Sequence, residues 1–135
     1  MKTILFGLFM TIVLAFSGCG LNKDAEVNSF ITEMDKLTAE IVRAVDEKPT
    51  DGVDKAQKLL DARKSELKKK YEGFKDVRGF QLSKEMQTKF TDAVTKDLEA
   101  VGNLQIKHAK TSVADEKFGR QLDRLTNDYN SIFGV

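Results

Sequence analysis

One histidine, one cysteine and scattered carboxylates are the residues of this 135-residue chain that could do chemistry. His108 sits in Lys107-His108-Ala109-Lys110, near the end of a stretch with helical periodicity. A general base needs an orienting carboxylate and a substrate or nucleophile within reach, and neither stands beside it in sequence. A protonated imidazole at a helix C-terminus is instead favoured by the helix dipole, so His108 is expected to be structural. Metal chemistry has little to draw on. Zinc sites of the thiolate kind need more than Cys19. A di-iron bundle needs two Glu-x-x-His pairs, which one histidine cannot supply. Asp92, Asp97 and Glu99 recur at ordinary surface spacing. No catalytic residue, metal ligand or cofactor is expected.

Haem is the sharper alternative, because a four-helix bundle can hold the iron between one methionine and one histidine. Met34 and His108 are the pair on offer, but His108 ends a helix and packing would have to bring it level with Met34. Met34 is therefore expected in the core. The run Lys68-Lys69-Lys70 points in three directions around a helix, which makes a solvated face rather than an anion site. Arg63 falls in a gap of one apolar stripe and Asp97 in a gap of the next. Folding the two stripes back near residues 79 and 80 brings them to one level, where they are expected to meet as a register-setting polar pair or as the floor of a small pocket. Phe74 and Phe80 flank a glycine-bounded corner and either plug the end of the core or form a contact patch.

The elements that would position these residues are helices. Pro49 is the single proline, and apolar residues recur every three or four positions. The first stripe runs Val27, Phe30, Ile31, Met34, Leu37, Ile41, Ala44, Val45, with Asp24 as its expected cap. Pro49 disfavours helix at Lys48 and so ends it. Thr50 or Asp51 is expected to cap the second stripe, Val53, Ala56, Leu60, Leu67, Tyr71, Phe74. Ser83 caps the third, Met86, Phe90, Val94, Leu98, Val101, Leu104. A capping box of Ser112 and Asp115 is expected to start the fourth, Phe118, Leu122, Leu125, Tyr129, Ile132, Phe133. These stripes predict an all-α, antiparallel, up-down-up-down four-helix bundle over residues 24–135. The alternative is a helical hairpin followed by one long C-terminal helix over residues 83–133.

Ahead of the bundle, Met1-Lys2 precedes an uncharged apolar run from Ile4 to Phe16 and the small residues Ser17 and Gly18. A basic start, an apolar centre and a small-residue exit describe a secretory signal over residues 1–18. Phe16-Ser17-Gly18-Cys19 resembles the lipobox of bacterial lipoproteins, with Phe16 where leucine is more usual. The resemblance implies that Cys19 is acylated and becomes the new N-terminus, with residues 19–23 as a tether. Gly20, where an aspartate would imply retention at the inner membrane, implies the outer membrane of a Gram-negative cell, or otherwise the outer face of the cytoplasmic membrane. Since the uncharged stretch reaches Asn22, an uncleaved anchor is the alternative.

The chain carries 22 basic and 21 acidic side chains, and loss of residues 1–18 leaves 21 of each sign. That balance argues against nucleic acid as a partner, which would require a net basic footprint. The expected function is a membrane-tethered, non-catalytic binding module of the cell envelope, whose partners are the membrane through its lipid and an envelope protein or peptide. The alternative is a carrier of a small apolar or haem-like ligand in the bundle core.

Overall fold

The computed structural model describes residues 22–77 and 81–135. Among these, every regular element is a helix: α1 (Asp24–Glu47), α2 (Pro49–Lys75), α3 (Lys84–Lys107), the short α4 (Ala109–Ala114) and α5 (Glu116–Asn130). The four long helices reverse direction at each corner and enclose one apolar core, so the chain is an all-α helical bundle. No helix among the described residues is long and apolar enough to cross a membrane.

All eight residues of the first predicted stripe are buried, and Thr38 joins them. Lys48 takes an extended backbone, with φ −148° and ψ 87°, and Pro49 then opens α2 at its first position. Proline suits that place because its missing N–H would have no partner there. α2 therefore begins one or two residues before the expected caps Thr50 and Asp51. The corner is so tight that a Cβ on Gly52 would collide with the Ala44 carbonyl oxygen. Ser83 caps α3 as read, its hydroxyl accepting from the Met86 N–H at 3.1 Å. Asp24 serves a different helix from the one expected. Its carboxylate accepts the Ser83 N–H at 3.0 Å, while Asn22 Oδ1 accepts the N–H of Asp24 at 2.8 Å.

The third corner falls around the expected break rather than on it. The chain leaves helix geometry at His108 and again at Asp115, so Thr111 and Ser112 lie inside α4. Asp115 alone caps α5, accepting the Phe118 N–H at 3.1 Å, and Ser112 takes no part. α4 folds onto α5 so closely that a Cβ on Gly119 would lie 3.2 Å from the Ser112 carbonyl oxygen. This corner uses up eight residues and leaves α5 only 15 residues long. Beyond it, Gly134 turns the chain with φ +73°, and Ile132 and Phe133 complete the buried stripe.

Around the bundle the order is α1, α2, α5, α3. The start of α3 lies beside the start of α1, through Lys23 N–H to the Gln81 carbonyl, and its end lies beside the end of α1, through Lys107 and Asp46. α1 and α3 are thus parallel neighbours. α2 and α5 are also parallel, as shown by Gln121 with Asp54 near one end and Tyr71 with Phe133 near the other. The consecutive helices α2 and α3 occupy opposite corners. We expect Gly52→Ala to lower stability by about 1–3 kcal/mol, because the added methyl must move the α1–α2 corner. Thermal denaturation against the parent checks this, and Gly73→Ala is a control where open space surrounds the new methyl.

Candidate functional site

Diagonal placement of α2 and α3 corrects the expected contact between Arg63 and Asp97. The two residues do lie near one level of the bundle. Arg63, however, turns to Glu40 of α1, with Nη2 to Oε2 at 3.6 Å, while Asp97 faces Asp35 and Thr38 of α1. With only two helices folded back in mind, residues 63 and 97 would be neighbours; α1 and α5 stand between their corners. Nor does Asp97 have the surface character its spacing suggested, since it is 2 % exposed.

Asp97 belongs to a polar cluster drawn from three helices. Thr38 Oγ1 and the Tyr129 hydroxyl share a hydrogen bond of 2.5 Å across the α1–α5 diagonal. Burial, then the negative charge of Asp35, raise the Asp97 carboxyl to about 7, against smaller opposing effects of Thr38 and Lys96. Burial also pushes the Tyr129 hydroxyl well above its ordinary value, so it stays protonated and available as a donor. Sequence spacing marked Asp97 but gave no sign of its partners, because Asp35, Thr38 and Tyr129 are each separated from it by dozens of residues.

His108 is committed to holding the far end of the bundle together. Its Nε2 lies 2.9 Å from Asp46 Oδ1, and its ring packs edge-on against Phe118 at 6.1 Å. Lys107 Nζ takes the other oxygen of Asp46 at 2.6 Å. Burial alone would raise the Asp46 carboxyl, but the hydrogen bonds and charges of Lys107 and His108 outweigh it and hold the group below its usual range. Since His108 is level with Asp46, it stands about 18 Å along the axis from Met34, at 1.5 Å per residue over the twelve residues between 34 and 46. Those two side chains cannot ligate one iron in this arrangement. Met34 is a core residue, 2 % exposed.

An open groove of about 820 Å³ lies between the first half of α1 and the last half of α2. Phe30, Phe74 and Val77 supply apolar lining, and the rim carries Lys23, Lys69 and a bridge from Lys70 Nζ to Glu33 at 2.8 Å and Glu66 at 2.9 Å. Gly73 opens directly onto it, with nothing within 4 Å of where its Cβ would be. Phe74 is half-buried and stands edge-on to Phe30 at 5.4 Å, so it plugs the core from one side and lines the groove from the other. Phe80, its expected companion, and Cys19 lie outside the described residues. The three lysines separate as expected: Lys68 is exposed, Lys69 lines the groove, and Lys70 is held in the bridge.

Among the described residues, no three of His, Cys, Asp and Glu come together as a group able to hold a metal ion. The site and fold define a helical bundle with a packed core and an open apolar groove. No family's sequence pattern matches the chain, and neither a curated protein nor a solved structure is significantly similar to it. We expect Tyr129→Phe to cost about 1–3 kcal/mol, since it removes one of the two hydrogen bonds of the buried Thr38 hydroxyl. Urea denaturation against the parent measures this, and a loss below about 0.5 kcal/mol would show that the hydroxyl contributes little.

Proposed function

We propose that this chain is a lipid-anchored, non-catalytic binding module of the bacterial envelope, and that the α1–α2 groove is its binding surface. The groove carries the proposal: it is a concave, largely apolar surface on a bundle whose sole histidine is held by Asp46. Concave, mostly apolar sites with a few charged groups at the rim are where proteins usually hold ligands. A partner that presents apolar side chains between paired charges suits it, and an envelope protein or peptide is the class that does.

The tether supports the same surface. Lys23 lines the groove, and only three residues separate it from Cys19, a reach of about 14 Å when extended. Acylation of Cys19 would therefore hold the groove close to a membrane surface, in the outer membrane where the envelope has one. Two or more acyl chains anchor a protein stably.

Two outcomes test this. Cys19→Ser should move the protein from the membrane fraction to the soluble envelope fraction with its helical content unchanged; membrane retention without lipid would favour an uncleaved anchor. Gly73→Arg should fill the groove without cost to the fold, because the position is open and glycine is about 1 kcal/mol less favourable than alanine inside a helix. A photo-crosslinker at Ser29 should capture a discrete envelope partner in cells, and Gly73→Arg should abolish that product. Equal capture from Lys117, away from the groove, would refute the assignment.

A further inference from the structure

We propose that Asp97 and Asp35 hold one proton between them across the parallel α1–α3 seam, and that losing it loosens α3 from α1, making the seam a pH-sensitive catch. The geometry is that of an incomplete hydrogen-bond account. Asp35 Oδ1 is buried and has no hydrogen-bond donor. The nearest cation, Lys96 Nζ, stands 3.8 Å away, beyond hydrogen-bond reach. The group that faces Asp35 from α3 is the carboxyl of Asp97. Two ionised carboxylates cannot satisfy one another, because both only accept. One proton on Asp97 supplies the missing donor: its O–H donates to Asp35 Oδ1, and the chain from Tyr129 through the Thr38 hydroxyl can then end on its other oxygen. Each buried polar atom of the cluster is then paired.

The surroundings give that proton a way out and little to replace it. The Asp97 residue is 2 % exposed, whereas the Asp35 side chain is 42 % exposed and opens onto a groove of about 620 Å³ between α1 and α3. Facing the pair from α1 are Asp35 itself and the Thr38 hydroxyl; from α5, the Tyr129 hydroxyl; from α3, Lys96, with Glu85, Lys89 and Asp92 further along the groove. α2 lies at the corner opposite α3, and its Arg63, near the same level, turns to Glu40 of α1. Removal of the proton thus leaves two like charges across one helix seam, with the exposed Lys96 as the adjacent cation among the described residues. Burial first, and then the charge of Asp35, push the Asp97 carboxyl up from 3.8 to about 7. A carboxyl raised by folding stabilises the fold most below its unfolded value, and that contribution fades as pH climbs from about 4 to about 7. The catch is closed in mildly acidic surroundings and released near neutrality and above.

The test uses the full chain in detergent micelles, with ¹³C-labelled aspartate carboxyl carbons followed by NMR as pH is varied. The Asp97 carbon should titrate at about 7. In Asp35→Asn the midpoint should fall by about one unit or more, since the like charge is gone and an amide donor replaces it. Hydrogen exchange of the α3 amides around Asp97, corrected for its intrinsic pH dependence, should quicken roughly tenfold between about pH 5.5 and 8. Asp97→Asn keeps the shape and donates permanently to Asp35, so it should abolish that change. Titration of Asp97 below about pH 5 would overturn the proposal. So would an unshifted midpoint in Asp35→Asn, which marks a merely buried aspartate, or α3 exchange that does not respond to pH. The wild-type titration stands even if a variant fails to fold.

Discussion

α1 must be covered from two sides at once, and the rest of the bundle follows from that requirement. Its nine buried residues form three columns at heptad spacing: Val27, Met34 and Ile41; Phe30, Leu37 and Ala44; Ile31, Thr38 and Val45. A face this wide cannot be dried by one neighbour. α2 closes one side through the Gly52 corner, and α3 closes the other as a parallel neighbour. α5 then fills the remaining corner, where Phe118, Leu122, Leu125 and Tyr129 close the core from opposite α1. Short connections alone do not decide which two helices cover α1.

Ionic contacts decorate that arrangement and help select it. Asp128 of α5 receives Lys64 at 3.1 Å and Gln57 at 2.8 Å, both from α2, which pins the parallel α2–α5 pair. Burial would raise the Asp128 carboxyl, but these hydrogen bonds and the nearby cations hold it below its usual range. Partly exposed pairs of this kind contribute little individually, about 0.2–1 kcal/mol each. Their value lies in register, because any other ordering of the helices would leave α2, the basic helix, facing the wrong neighbours. Asp97 obeys different physics. It is buried beside another acid, so it is satisfied by a proton rather than by a cation.

The bundle has two ends with different characters. At one, His108, Lys107 and Asp46 tie α3 to α1 and Phe118 packs on the imidazole. At the other, Phe30, Tyr71, Phe74 and Phe90 stack at ring separations of 5.4–6.3 Å, and the groove opens over them. α1 begins at this second end. Under the lipid anchoring proposed above, the groove end would face the membrane and the His108 end would point away from it.

Helical periodicity was enough to identify the buried apolar residues of α1 and α5, because apolar spacing of three and four residues directly encodes one face of a helix. Pro49 and Ser83 were legible for the same local reason: each acts on backbone groups within a few residues of itself. The lipid attachment expected at Cys19 also rests on sequence order alone. Helix order around the core could not be read that way. Whether α2 meets α3 or lies diagonal to it depends on how wide the α1 face is and on which side chains fill the centre, and these are sums over the whole fold. For that reason Arg63 and Asp97 were matched in height yet sent to different partners. Asp35, Thr38, Asp97 and Tyr129 became one cluster only when three helices converged, since burial and like-charge proximity are properties of the assembled core and of no segment within it.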